Sequence, residues 1–588
     1  MDIPKPPEVE LFTKKETFKG VELETLYRQA RTPVDPEAGL DLSKLGGMAS
    51  TAHGFCAAFN QRTYVTDDGL ICEQDVPVKM RDGVTIYTDI FRPKDQTNIP
   101  VLVSWSMYGK RPGDGMSEWQ VMGVVPGTVS TMAKFESPDP GYWCHKGYAI
   151  ANVDPRGVGH SEGDINMFGT QDSQDGYDFI EWLATRWWCN GKVGMSGNSC
   201  VAMTQLRIAA QCPPHLTCIA PWEATTDIYR QSLYEGGIPA LTFNEFIVAS
   251  MTGPSLIDDQ VAMGRRYPLM NEYWEDKIPD LSKIRIPTYL CASWSHFHLA
   301  GSIYSFRKIK STKKWLRVHR EQEWPDMYNP DNIADLTRFF DRYLKEIHNG
   351  WEMTPKVRLE VMDAYDCDYQ TNRPEKEFPL KRTQYTRYYL NAEDKSLNTE
   401  PVPYEAKASY DPENEELNFD ITFNEDVEIT GYSFLRLFVE ADGHDDMDLF
   451  ITLKKLDEDG NWLPTYILNE PHPGPWGKMR VSHRELDPKL STKFQPVQAH
   501  RSEQKLSPGE IVQCDIEIVP TSRIWHKGQT FRVEIAGRYI REGWFEPLSW
   551  ETDNKGKHII HTGGQYESFI QLPIVPPKYS TKGGYAYR

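Results

Sequence analysis

The stretch Lys192-Val-Gly-Met-Ser-Gly-Asn-Ser199-Cys-Val-Ala-Met-Thr-Gln205 decides how this chain is to be read. An apolar strand-like run, Lys192 to Met195, enters a turn at Gly197-Asn-Ser199-Cys200, and residues beyond it have helical character. A serine hydroxyl is a weak nucleophile at its ordinary pKa, so it must be displayed on a tight turn with a base beside it and donors for the oxyanion. Strand, turn and helix supply the display and one donor, the backbone N–H of Cys200. Gly197 precedes Ser199 by two positions, but Val201 stands where the second glycine of G-x-S-x-G belongs, so half of that motif is kept. A helix N-cap serine has the same local pattern. Ser196 is the competing hydroxyl, placed on the strand instead of the turn. Cys200 reads as a packing residue, because a cysteine nucleophile would need a different turn register.

The segments on either side supply the rest of a parallel sheet. Pro77 to Pro93 gives two alternating runs around Asp82-Gly83, a hairpin signal. Apolar runs follow at Val101–Trp105, Tyr148–Asp154, Val193–Met195, Pro287–Ser293 and Lys314–His319, each trailed by loop or helix-like sequence. The segment Asp175 to Trp188 has helical spacing and stops at Asn190-Gly191. From Asp227 to about Trp274 the chain is aromatic-rich and helix-like with no strand signal. Asp331 to Glu346 reads as a closing amphipathic helix, and beyond Thr354 helices give way to short β-rich runs between Gly, Pro and Asp turns. The predicted architecture is α/β: an α/β-hydrolase fold with an inserted helical cap and a C-terminal β-sandwich. Its divisions are 1–70 (N-terminal extension, with a helix-like segment near Gly20 to Ala30), 71–226 with 280–350 (hydrolase domain), 227–279 (cap) and 351–588 (sandwich).

Several of these segments, in order, resemble one family. They are Arg81-Asp-Gly-Val84 with Phe91-Arg-Pro93, Tyr108-Gly-Lys110, Val153-Asp-Pro-Arg-Gly-Val-Gly-His-Ser-Glu-Gly-Asp164, Asp175 to Leu183, Asn190-Gly-Lys-Val-Gly194 and Ala220-Pro221. In the C-terminal part they continue with Asp446 to Phe450, Ser482 to Leu486, Pro508-Gly-Glu510 and Ile516 to Ser522. Together they are similar to the family of cocaine esterase, α-amino acid ester hydrolases and X-Pro dipeptidyl-peptidases, over about residues 75 to 575. The resemblance implies a hydrolase domain, a helical cap and a jelly roll that walls the pocket. It also implies that Tyr108 gives its hydroxyl to the oxyanion hole. That agrees with the placement of Tyr108 after a strand end, although a buried tyrosine is also an ordinary core residue.

The family's acid follows a strand in a Gly-Trp-x-Asp-like motif and its histidine follows the next strand in Pro-Trp-x-His. Here the first site reads Ser293-Trp-Ser-His296-Phe-His298 and the second Val318-His-Arg-Glu-Gln-Glu-Trp324. An exchange of roles keeps the chemistry, because triads are defined by geometry and not by chain order. His298 is then the base, with His296 second and His319 weaker, and Glu323 orients the ring, with Glu321 behind it. If the segment stays extended, His296 and His298 point the same way. The bland readings are two hydrogen-bonded loop histidines, and solvated glutamates beside Arg320. A metal would need a third ligand that the segment does not offer, so no metal and no cofactor are expected. Asp154 and Arg156 read as loop-fixing residues.

Composition sets the outer bounds. At 588 residues the chain exceeds one core, and its formal net charge of -19 disfavours a phosphate backbone, so nucleic acid is an unexpected partner. No apolar run is long enough for a membrane span, and ten cysteines without regular spacing, together with an N-terminus lacking a signal-like pattern, point to a cytoplasmic protein. The expected partner is a small-molecule substrate; a homodimer is compatible with the sequence, which leaves oligomeric state open. Trp222, Tyr229, Phe243 and Phe246 are the candidate pocket wall and suggest an apolar acyl group, although cap aromatics equally form the cap's own core. Three functions compete: a serine hydrolase cleaving an ester or amide through an acyl-enzyme, a non-hydrolytic acid/base enzyme (cyclisation, elimination or carbon–carbon bond chemistry), and a non-catalytic binding protein.

Overall fold

Strands buried on both faces must be apolar along their whole length, and this rule picks out the centre of the molecule. In the computed structural model, which describes residues 9–31, 59–111, 122–468, 470–539 and 549–576, every residue of Ile99–Trp105, Ala149–Asp154 and Thr288–Ser293 is buried. The chain divides into two compact units. The first comprises residues 1–233, 242–317 and 322–354; the second comprises 234–241, 318–321 and 355–588.

In the first unit the strands are β1 (Leu11–Phe18), β2 (Val21–Gln29), β3 (Arg62–Val65), β4 (Leu70–Lys79), β5 (Thr85–Pro93), β6 (Ile99–Trp105), β7 (Ala149–Asp154), β8 (Cys189–Asn198), β9 (Leu216–Trp222), β10 (Leu256–Asp258) and β11 (Thr288–Ser293). Its main sheet runs β3-β4-β5-β7-β6-β8-β9-β11, antiparallel as far as the β5–β7 pair and parallel from there on. Helices α1 (Thr170–Ala184), α2 (Ser199–Ala210), α3 (Leu241–Ser250), α4 (Gln260–Arg266), α5 (Leu299–Lys308), α6 (Glu323–Met327) and α7 (Pro330–Leu344) complete it. Helix α7 begins where Asn329 caps Asp331 N–H ahead of Pro330 and buries Leu336, Phe339, Phe340, Tyr343 and Leu344, a helical stripe. It lies on β8, where a Cβ at Gly194 would sit 2.9 Å from Leu344.

Two expectations for this unit are corrected. The segment near Gly20 to Ala30 is the second strand of a hairpin, not a helix. Lys19 and Gly20 both have positive φ, 49° and 88°, the two-residue turn whose twist matches paired strands, and Leu23, Thr25 and Tyr27 alternate inward. Strand β2 then pairs with β10, so the span 227–274, read as strandless, carries a short strand there and a two-residue antiparallel pair at Tyr234–Glu235 and Ile238–Pro239. The helices around it are short: Leu241–Ser250, Gln260–Arg266 and Glu272–Asp276. Arg28 from β2 fastens this arrangement by bonding Asp259 at 2.6 Å and Glu245 at 2.5 Å. Helix α1 ends at Ala184, ahead of Asn190-Gly191, because Cys189 already belongs to β8. The remainder of the N-terminal extension, residues 32–58 with Cys56, lies outside the described residues, as does the start of the chain at 1–8.

The second unit is a β-sandwich. One sheet holds Ala406–Tyr410, Lys557–Thr562, Val427–Asp442, Phe569–Ile574, Gln384–Asn391 and Val512–Trp525; the other holds Glu416–Thr422, Thr530–Ala536, Asp448–Leu456 and Trp476–Arg480. Inward residues of both, such as Leu435, Leu437, Ile451, Ile516, Val533 and Ile570, form one core.

Candidate active site

Strand β8 delivers Ser199 through a bend that the local sequence enforces. Gly197 has φ of 140°, and a Cβ there would meet Val201 Cγ1 at 2.4 Å and the Glu136 carbonyl at 2.5 Å. Val201 fills the space beside Gly197, which is how the turn closes with a valine where a glycine was expected. Ser199 itself has φ of 48°, a strained value for a non-glycine residue, and its N–H donates to the Glu223 carbonyl at 2.9 Å. It is the first residue of α2, so the Cys200 N–H belongs to the unsatisfied first turn, and Cys200 lines the cavity beside Ser199. Burial pushes the Cys200 thiol up to about 12, which fits packing and not nucleophilic attack. Ser196 stays within β8, 1% exposed.

His298 Nε2 lies 3.0 Å from Ser199 Oγ. Its Nδ1 lies 2.7 Å from the Thr225 hydroxyl, so the ring is held at both nitrogens. The His298 pKa is driven well below its ordinary value, first by burial and then by His296, with Glu223 opposing. The ring is therefore neutral and able to accept the serine proton. With Nδ1–H assigned as the donor to Thr225, Nε2 is the acceptor. His298 ends the turn at 293–298 and caps α5.

The expected extended geometry for His296 and His298 is absent, because Ser293 to His298 folds into turns. His296 has glutamates as its partners. Its Nδ1 is 3.2 Å from Glu223 and its Nε2 is 3.6 Å from Glu323, all three side chains being buried. Glu323, expected to orient the base, thus sits beside the other imidazole, and the partner of His298 is Thr225. Sequence inspection missed Thr225, because threonine carries no signal for this role. Glu321 pairs with its neighbour Arg320 at 3.2 Å and is half exposed, the fate of an ordinary surface charge. His319 terminates its strand, buried.

Tyr108 reaches Ser199 from the end of β6. Its hydroxyl lies close enough to Ser199 to hydrogen-bond with it, and its pKa is raised well above 10 by burial and then by Glu136, which keeps it a proton donor. The Tyr-Gly-Lys segment is anchored underneath: Lys110 Nζ contacts Asp154 at 2.5 Å and Asp75 at 3.1 Å, while Arg111 bonds Asp75 and Asp89, each at 2.7 Å. Asp154 fixes the loop in this way. Arg156 does so through Asp175 at 2.7 Å.

Above these groups opens a cavity with Tyr108, Ser199 and His298 on its polar side and Met203, Ile228 and Phe243 on its apolar side. Of the four candidate wall residues only Phe243 lines it, its ring 5.4 Å from that of Phe297. Trp222 is buried against Tyr289 and under the Arg317 guanidinium, and Tyr229 donates to the Pro268 carbonyl while packing on Trp274. Phe246 lies off the cavity as well: α3 presents Phe243 and Ile247 to it, and a residue three positions beyond Phe243 but one short of Ile247 falls at the edge of that face. His296, His298 and Glu323 bring donor atoms within 4.8 Å of one another, but both nitrogens of His298 are engaged by Ser199 and Thr225, which leaves that trio short of a free ligand set.

With this geometry in place, the likeness to known proteins is specific. A hydrolase of the CocE/NonD family from Staphylococcus aureus is 37% identical, its match covering 86% of this chain and 94% of its own, with a TM-score of 0.82. The chain belongs to the CocE/NonD hydrolase family. Residues 82–260 match the X-Pro dipeptidyl-peptidase (S15 family), and residues 349–571 match the X-Pro dipeptidyl-peptidase C-terminal non-catalytic domain. Cocaine esterase from Rhodococcus sp. (strain MB1 Bresler) is 23% identical over 620 residues, covering 87% of this chain and all 100% of its own. An α-amino acid ester hydrolase, 16% identical and covering 87% of this chain and 98% of its own, shares the fold with a TM-score of 0.63. As a CocE/NonD hydrolase the protein is an enzyme that cleaves an ester or amide bond. Among the described residues, no helix is long and apolar enough to cross a membrane.

Proposed function

We propose that this CocE/NonD hydrolase cleaves a small-molecule ester or amide with an apolar acyl group, through an acyl-enzyme on Ser199 and a rearranged triad. The supporting observation is the 3.0 Å approach of His298 Nε2 to Ser199 Oγ, with the ring's far nitrogen on Thr225. Ser199 Oγ attacks the carbonyl carbon and its proton passes to Nε2. The carbonyl oxygen takes up negative charge facing the Tyr108 hydroxyl and the Cys200 N–H. Collapse of that intermediate expels the alcohol or amine, which leaves with the proton from Nε2, and water then repeats the sequence to release the acid. Met203, Ile228 and Phe243 give the acyl group an apolar berth. No step calls for a cofactor.

The test is a fluorophosphonate probe followed by peptide mass analysis. An adduct on the Ser199 peptide, lost in Ser199→Ala, is the expected result; folded protein that takes no adduct refutes the reading. The hydroxyl of Thr225, where a hydrolase commonly has a carboxylate, favours a second reading: proton transfer by His298 without an acyl-enzyme. That reading predicts that Ser199→Ala keeps most of the activity while His298→Ala loses it.

A further inference from the structure

Glu136 is a polar group at this site that the mechanism above leaves idle. It lies in Phe135-Glu136-Ser137 and has φ of 57°, a conformation disfavoured in a residue with a Cβ. The cost is met by docking onto the nucleophile turn: its carbonyl accepts from Asn198 N–H at 3.1 Å and closes on Gly197, where a Cβ would sit 2.5 Å away. So held, its side chain points inward. Trp324 Nε1 donates to Oε1 at 3.1 Å, and the Tyr108 and Ser199 hydroxyls are both near enough to interact with the carboxyl. Oε2 is buried and has no partner in full hydrogen-bond geometry. Phe135 props the arrangement, its ring 5.2 Å from Tyr108 and 5.6 Å from Trp324.

We propose that Glu136 is a positioning residue of the Ser199 centre, working as a neutral carboxylic acid that hydrogen-bonds through its proton to the Tyr108 oxygen and so leaves the Tyr108 O–H aimed at the developing oxyanion. The inference rests on the acyl-enzyme reading. A phenol has a single proton. If Glu136 is a carboxylate, that proton turns toward it, the oxyanion loses a donor, and a negative charge stands beside the place where another must form. If Glu136 keeps its proton, the two hydroxyls line up in one direction and each bond polarises the next. Burial supports the neutral state, pushing the Glu136 pKa up to about 8, partly offset by the bonds from Trp324, Tyr108 and Ser199 and reinforced by Glu223. Among the described residues, no cationic side chain pairs with it.

The other titratable groups at this end of the pocket include Tyr108, Cys200, Tyr328, Glu223 and Glu323, together with the imidazoles of His296 and His298. The nearby Lys134 ammonium is turned to the Gly109 carbonyl at 2.9 Å, and burial lowers its pKa to about 7. Rising pH therefore ionises Glu136 and weakens catalysis.

The test is the pH profile of kcat for wild type, Glu136→Gln and Glu136→Ala on a p-nitrophenyl ester, with the rate of fluorophosphonate labelling at Ser199 followed in parallel. Glutamine keeps a donor but cannot ionise. We expect Glu136→Gln to retain activity within about fivefold of wild type at pH 7 and to lose the alkaline decline, and Glu136→Ala to fall roughly tenfold or more at every pH, short of the roughly 10²–10³-fold cost of removing an oxyanion donor outright. An alkaline decline that persists unchanged in Glu136→Gln points to Lys134 and overturns the proposal. So does a Glu136→Ala variant, labelled at the wild-type rate, with undiminished kcat. Absence of labelling at Ser199 in the wild type itself would instead sink the acyl-enzyme reading, and this proposal with it.

Discussion

Replacing Thr225 with valine removes one oxygen from the far side of the base and tests how a hydroxyl serves where a carboxylate is usual. The contact is 2.7 Å long and buried. A neutral hydrogen bond contributes about 1 kcal/mol net, and one to a charged group about 1.5–3 kcal/mol. His298 is neutral before reaction and an imidazolium at the transition state, so only the gain on protonation enters the rate, about 1–2 kcal/mol. Leaving Nδ1–H unpaired in the transition state adds part of its desolvation cost, which brings the loss to about 1.5–3 kcal/mol. At 1.36 kcal/mol per tenfold, kcat/KM should fall roughly 10- to 150-fold. Thr225→Ser, which keeps the oxygen, should remain within about threefold of wild type by the same reckoning. The assay is steady-state hydrolysis of a p-nitrophenyl ester with a short acyl chain, alongside the labelling rate at Ser199. A Thr225→Val enzyme within twofold of wild type would mean that the hydroxyl does not hold the ring. A loss as deep as that of Ser199→Ala would mean that the ring has left its place altogether.

Two further outcomes follow from the same geometry. Tyr108→Phe removes a donor used only when charge has developed, so kcat should fall roughly 10²–10³-fold with KM nearly unchanged; a rise in KM alone would make Tyr108 a binding group. The His298 pKa lies well below 6.5 because burial disfavours the imidazolium, so the base stays neutral as pH falls through that value. The acid limb of kcat/KM should therefore lie well below pH 6.5, and a limb centred at 6.5 or above would show a base in a wetter setting.

The sheet was legible because its strands obey a simple rule: Val101 to Trp105 and Thr288 to Ser293 are apolar throughout, as strands covered on both faces must be. Ser199 was legible for the same kind of reason, since Gly197 admits no side chain against Val201 and the Glu136 carbonyl. The hairpin at Lys19-Gly20 was misread because Val21 to Gln29 contains good helix formers, and the turn and the pairing with Leu256–Asp258 outweigh local propensity. Partners of the base were beyond reach for a deeper reason. Whether His298 meets Glu323 or Thr225 depends on how two turns approach across the top of the sheet, which no periodicity encodes. Glu136 gave no signal either, because it is recruited by a backbone bond to Asn198 from a loop 62 residues away in sequence.

The displaced acids explain why a hydroxyl can suffice. In a triad the carboxylate both orients the imidazole and offsets the positive charge it acquires. In the proposed triad the two duties fall to different residues. Thr225 orients, through one short bond. Glu223 supplies charge, since it alone among the neighbours acting on His298 raises the pKa of that ring. Glu223 is tied to the serine by its backbone, whose carbonyl accepts from Ser199 N–H, and to His296 by its side chain. Its φ of 61° marks a residue bent to serve both. An interaction at a distance is weaker than a direct ion pair, and burial more than cancels it, which leaves His298 a poor base in the resting enzyme. A base of low pKa transfers its proton readily to a leaving group, so in the proposed mechanism this division of labour helps the step in which the alcohol or amine departs.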